Sequence, residues 1–379
     1  MNRGVYTAAR TVSPIVHAYF ARHLDHAQQE GQEYLASLPT ADAIEAMIDA
    51  AFWASLQREE GYIPRISLAF VSPAEAIHPL NFERALALLP SVLTKVAPAV
   101  ESPGIHLCVW HDSGELLIWG TARTIPKYCF VLEATAPGLL GIKHHSGELA
   151  GKFVNVAVLE GDRIKIVDEH AAYHEECPAH LTSSMWFSSP PSKSHSVNLL
   201  VQLAVSMRAH GRGGCLLVVP AESESWRESI VQPLTYAVSP PFSELARLTQ
   251  LESDERLHLD VEQDIGRAVD WIAGLTAVDG AAVINNRYEL LGFGAKITRR
   301  NNYARVEQVL VTEPIQQAEA ALIHPQELGG TRHLSAVQFD HDQRDAIALV
   351  ASQDGRFTIF EWSPCEGMVH GSRVESLLL

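Results

Sequence analysis

The run Cys215-Leu216-Leu217-Val218-Val219 limits the fold of this chain more than any other stretch. Consecutive apolar residues leave a strand no polar side to turn toward water, so it must be covered on both faces. A sheet held between two layers follows. The turn Gly211-Arg212-Gly213-Gly214 leads into this run. A second run, Ala281-Ala282-Val283-Ile284, follows Val278-Asp279-Gly280, and a third, Ala346-Ile347-Ala348-Leu349-Val350-Ala351, leads to Ser352. Helical spacing lies between them: Leu199, Leu200, Leu203 and Met207 share a face, and 260–273 reads as a helix. Alternating helix and strand predicts an α/β (α+β) fold, with a mixed layered sheet and helices in the C-terminal domain.

The N-terminal half reads as helices and then strands. Ile15, Ala18, Tyr19, Ala21 and Leu24 have helical spacing, which Leu35 to Leu38 extend; Thr40 caps a second helix through Ile44, Met47, Ile48, Ala51 and Phe52. Residues 65–169 are β-rich. Ile66 to Val71 is one strand, and Asp112-Ser113-Gly114 turns a hairpin between 105–110 and 115–119. Strands are expected over 128–133, 139–144, 154–159 and 163–167, with a helix over 81–96. A Ser/Pro-rich stretch at 181–196 marks a boundary. The expected organisation is a helical segment 1–60, a β-rich α+β domain 61–190 and a third domain 191–379. His170, His174 and Cys177 would share a helical face and are a zinc-type ligand set, or are ordinary polar residues of a connecting segment.

Composition narrows the function classes. The 379 residues are 47% hydrophobic and 20% charged, ordinary values for a globular chain. Lys and Arg number 29 against 45 Asp and Glu, a net charge of −16. That balance argues against a large nucleic-acid interface but not against a mononucleotide, which needs only a few local cations. No apolar run approaches the ~20 residues of a membrane span, and the first residues lack the apolar core of a signal peptide. Five scattered cysteines read as reduced thiols, and a cytoplasmic location is expected.

Two stretches carry chemistry. Gly329-Gly330-Thr331-Arg332-His333 reads as a turn whose N–H groups, with the guanidinium of Arg332, suit a phosphate or another oxyanion. Asp279, at the edge of an apolar strand, suits a metal ion or a sugar hydroxyl.

In their order, 209–220, 275–284, 290–295, 330–333 and 345–352 make the segment 196–362 resemble the diadenylate cyclase domain, which joins two ATP molecules into cyclic di-AMP. The resemblance implies an adenine nucleotide as ligand and Mg²⁺ or Mn²⁺ as cofactor. It implies that two domains meet face to face, hence a homo-oligomer through this domain. Asp279 would be the catalytic and metal-holding residue. Gly280 and Ala281 would lie against the nucleotide. Gly330, Thr331, Arg332 and His333 would meet phosphates, and Ser352 would line the pocket. Leu334 stands where the family usually has a second Arg; Gln353 and Asp354 stand where it has paired Glu. The stretch 297–328 is longer than the family's connection and could cover the face where a second domain docks. Arg299 and Arg300 within it either reach the phosphates or form a solvated turn. The altered residues make the chain similar to sensor-type (DACNV-like) members of the superfamily, which bind nucleotide in signalling. An active diadenylate cyclase and a relic site are the alternatives.

Overall fold

The computed structural model describes residues 5–102, 104–145, 153–168, 199–251 and 259–378. They divide into two units, one reaching Val167 and one running from Asp168 to Leu378. Each is α+β. The candidate metal ligands His170, His174 and Cys177 and the boundary stretch 181–196 lie outside the described residues.

In the first unit, α1 (Thr7–Gln29) and α2 (Ala41–Ser55) lead into β1 (Ile66–Phe70), β2 (Leu80–Ala87) and α3 (Pro90–Val96). Six strands follow: β3 (His106–Asp112), β4 (Glu115–Ala122), β5 (Phe130–Ala136), β6 (Leu139–His145), β7 (Phe153–Glu160) and β8 (Arg163–Ile166). They form one sheet in the order β2-β4-β3-β1-β5-β6-β7-β8. Period-two alternation sorts β1 between two cores. Ile66, Leu68 and Phe70 pack with Val16, Phe20, Ile44 and Ile48 of the helices, so the N-terminal helices share the sheet's core. Ala69 and Val71 pack on the other face with Cys108 and Val131. Thr40 caps α2 as expected, its Oγ1 accepting the Ala43 N–H at 3.2 Å.

Two expected elements differ. Helix α1 ends at Gln29 and does not continue through Leu35. Gly31, at φ +70°, takes the left-handed turn that stops a helix, and Leu35 instead bridges to Lys127. Residues 81–87 are strand, not helix. They hold good helix formers, but pairing with β4 overrides propensity. Gly120 makes that pairing possible, since a Cβ there would lie 2.3 Å from the Leu80 carbonyl oxygen.

The second unit begins with α4 (Leu199–Ala209), β9 (Gly214–Val219), β10 (Tyr236–Phe242), α5 (Glu244–Thr249), α6 (Leu259–Leu275), β11 (Ala281–Asn285) and β12 (Leu290–Ala295). It continues through β13 (Val309–Thr312), β14 (Ala321–Ile323), α7 (Pro325–Leu328), α8 (Thr331–Asp342), β15 (Ile347–Ala351), β16 (Phe357–Ser363) and β17 (Met368–Arg373). The mixed sheet runs β10-β12-β11-β9-β15-β16-β17-β13-β14. All six residues of β9 are buried. Leu216 and Val218 face α4 and α6; Cys215, Leu217 and Val219 face Ala336, Val337 and Phe339 of α8. Full burial of each such side chain stabilises by roughly 1.5–3 kcal/mol, so β9 anchors both layers. The long connection 297–328 adds β13 and β14 beside β17, on the far edge of the sheet from β10.

Cys108, Cys129 and Cys215 are buried free thiols. Cys365 is disulfide-bonded, a departure from the expected set of reduced thiols.

Asp340 on α8 is fully buried. Neither carboxyl oxygen makes a hydrogen bond of ordinary geometry, although the Ala348 N–H points toward it. Burial, and then Glu361 beside it, push its pKa well above the usual carboxylate range. A raised folded-state pKa gives stability that is complete below the unfolded-state value and is lost as pH rises through the folded-state value. Asp340→Asn removes that loss and can donate to Glu361. We expect it to unfold later than wild type at neutral pH, by about 1 kcal/mol or more, with the gap closing as pH falls through the ordinary Asp range. Urea unfolding against pH checks this; a variant less stable than wild type at neutral pH would mean that Asp340 is a charged, paired group.

Candidate functional site at one end of the second sheet

Strand directions decide which residues meet. β9 runs parallel to β11, pairing Leu216 with Ala282 and Val219 with Asn285. It runs antiparallel to β15, pairing Gly214 with Ala351. β11 and β12 form an antiparallel hairpin that pairs Ala281 with Ala295. One end of the sheet therefore gathers Gly213-Gly214, Asp279-Gly280-Ala281, Lys296 and Ser352-Gln353, although they come from distant parts of the chain.

The glycines permit close backbone approach. Gly280 has φ +113°, and a Cβ on it would lie 2.5 Å from the Gly294 carbonyl carbon. Gly213 has φ +70°, and a Cβ there would lie 3.0 Å from Arg332 Nη1, 3.2 Å from the Ala351 oxygen and 3.3 Å from Gln353 Cγ. The Arg332 guanidinium thus rests on the Gly213 turn.

Residues 331–333 were expected in a turn; they form the first turn of α8, with Gly330 as its N-cap and no capping side chain. The reason lies downstream. Ala336, Val337 and Phe339 need a helix to reach the sheet together. The change favours anion binding, because a helix N-terminus presents N–H groups and the positive end of the dipole. Thr331 and Gly330 are exposed there and Arg332 is half-buried.

His333 takes a different place. It is 2% exposed and meets Phe360 edge-on, with ring centroids 6.0 Å apart. Burial, rather than the nearby Arg373, Arg356 and Arg332, is the main reason its pKa falls to about 4. The ring is neutral and packed inward, unlike Thr331 and Arg332.

Asp279 is 93% exposed at its side chain, and its Oδ2 accepts a hydrogen bond from Lys296 Nζ. That hydrogen bond, and then the Lys296 charge, lower the Asp279 pKa; Arg332 acts in the same direction. Arg332 also depresses His210, whose pKa falls chiefly through burial and then through Arg212. Arg212 is exposed, and its carbonyl accepts from Gln353 Nε2 at 3.4 Å. Lys296 and Arg332 thus act on one exposed acid, and Arg212 lies in the glycine turn at the same sheet end. Ser352 is half-buried at the end of β15, its N–H bonded to the Arg356 carbonyl at 2.9 Å.

Lys296 and Arg212 were not singled out as site residues. Arg212 sat in the glycine turn already noted, and Lys296 directly follows the Ala295 that pairs with Ala281. Arg300 is placed elsewhere: it pairs with Glu228 at 2.6 Å, and its N–H donates to Asp342 at 2.7 Å. Asp342 ends α8, roughly 15 Å of helix from Arg332, so Arg300 does not replace the missing second Arg.

A divalent metal fits this donor set poorly. Asp279 is engaged by Lys296, Gln353 is neutral, and Asp354 pairs with Arg356 at 3.4 Å. Among the described residues no group of three or more His, Cys, Asp or Glu could hold a metal. No helix among them is long and apolar enough to cross a membrane.

Residues 33–123, in the first unit, match the family described as "Probable sensor domain DACNV". This segment, α2 through β4, is similar to a sensor domain. The match does not extend to 196–362. No curated protein matches the chain.

The close approach of Gly280 to Gly294 yields a test. Gly280→Ala should cost about 1–3 kcal/mol through strain and overlap. An unfolding midpoint equal to wild type would show that the hairpin does not close as described.

Proposed function

We propose that this chain is a sensor whose second unit binds an adenine nucleotide, ATP or cyclic di-AMP, and whose sensor-like first unit works with it in signalling. One observation carries the reading: the Arg332 guanidinium lies over the Gly213 turn at the N-terminus of α8, at the sheet end that carries Asp279. A forked cation, helix N–H groups and glycine backbone suit phosphate oxygens. Exposed Asp279 suits a sugar hydroxyl. Three cations on a chain of net charge −16 mark a local site for an anion. The match of 33–123 to a probable sensor domain supports the signalling half of the reading.

Binding without turnover fits better than catalysis. Phosphoryl transfer needs metal charge around the reacting phosphorus as well as cationic side chains. Leu334 brings no charge, and Asp279 is engaged by Lys296.

Isothermal titration of the full chain with ATP and with cyclic di-AMP tests the reading. We expect saturable binding of at least one, weakened about tenfold or more by Arg332→Ala, which removes charge-assisted hydrogen bonds. Incubation with ATP and Mn²⁺ should leave ATP unchanged by mass-resolved chromatography. Absence of binding sinks the proposal; cyclic di-AMP that disappears in Asp279→Asn would make the chain a cyclase.

A further inference from the structure

We propose that Lys296 stands in for the divalent cation at this site, so that nucleotide phosphate is held by the chain's own charge without metal. The inference rests on the nucleotide reading above and specifies the cofactor requirement of the same site.

Lys296 is fixed at its backbone. Its carbonyl accepts from the Val231 N–H at 2.8 Å, and the preceding Ala295 is paired with Ala281 across the hairpin. Its ammonium is thereby delivered to Asp279, the acid best placed to hold a metal. An ammonium has three N–H donors. Asp279 takes one, and the side chain stays 48% exposed, leaving two donors for oxygens of a ligand. A lysine of this kind is a compact point charge suited to phosphate.

Charge balance favours the same arrangement. Asp279 cancels Lys296, and Arg332 with Arg212 leaves the sheet end positive. A divalent cation would add charge beside these cations with one shared carboxylate to hold it. Hard cations need several oxygen ligands, whereas Gln353 turns its amide nitrogen to the Arg212 carbonyl and Asp354 is taken by Arg356. An exposed ion pair adds little to folding stability, so the Lys296–Asp279 contact matters mainly for what it offers a ligand.

The experiment is titration of the full chain with ATP in excess EDTA and in excess Mg²⁺, on wild type and on Lys296→Gln. Wild-type affinities in the two buffers should agree within about threefold, and Lys296→Gln should bind about tenfold more weakly in EDTA. Wild-type binding that appears only with Mg²⁺ overturns the inference and leaves the nucleotide reading standing. Lys296→Gln binding like wild type in EDTA overturns it too. No heat with wild type in either buffer overturns the nucleotide reading and the inference together. The comparison of buffers on wild type needs no variant to fold.

Discussion

Strand β9 bonds to a parallel neighbour on one side and an antiparallel neighbour on the other, and the second unit depends on that asymmetry. A parallel partner places the start of β11 beside the start of β9; an antiparallel partner places the end of β15 there. Loops from residues 213, 279 and 352 consequently share one sheet end. The buried side chains of β9 hold the helices on both faces, so register and site are fixed by the same contacts. A one-residue slip would exchange Leu216 and Leu217 between the two cores and separate Gly214 from Ala351.

Helix α8 joins the packing to the site. Its middle supplies Ala336, Val337 and Phe339 to the core, and its first turn carries Arg332 over Gly213. His333 holds the turn from beneath, with its ring where a Cβ on Gly329 would sit: such an atom would lie 2.7 Å from His333 Nδ1. Glycine at 329 is therefore a packing requirement of His333. The phosphate-binding pole proposed above inherits its position from this core and not from a mobile loop.

Much of this was legible in the sequence, and the gaps have physical causes. Continuous apolar runs showed the central strands, because complete burial removes the polar alternation that would mark a face. The hairpin at 112–114 was legible because Asp-Ser-Gly sits between two strand-like runs, and Ser113 and Gly114 do take the positive φ of such a turn. Residues 81–87 were not, since their strand state comes from pairing with β4 across Gly120, a contact distant in sequence. The 331–333 turn was misread because paired glycines look like loop, although the apolar residues after it have helical spacing. Asp279 and Arg332 were legible as partners, because loops that follow different elements gather on one side of an α/β sheet, and the charge of Arg332 acts on Asp279. Lys296 was missed because its approach to Asp279 depends on an irregular register in the β11–β12 hairpin, which no local pattern shows.

On the nucleotide reading proposed above, holding a phosphate and transferring one make different demands. Affinity for phosphate asks only for positive charge and N–H donors in fixed places, and a lysine or arginine supplies both. Transfer asks for more: charge that follows the reacting oxygens and a nucleophile freed of its proton, work for which metals are suited. On the proposed reading, Lys296 meets the first demand while occupying the acid that the second would use. On that reading Lys296, just past β12, together with the uncharged Leu334 and Gln353, separates binding from turnover, with no change to the sheet that positions them.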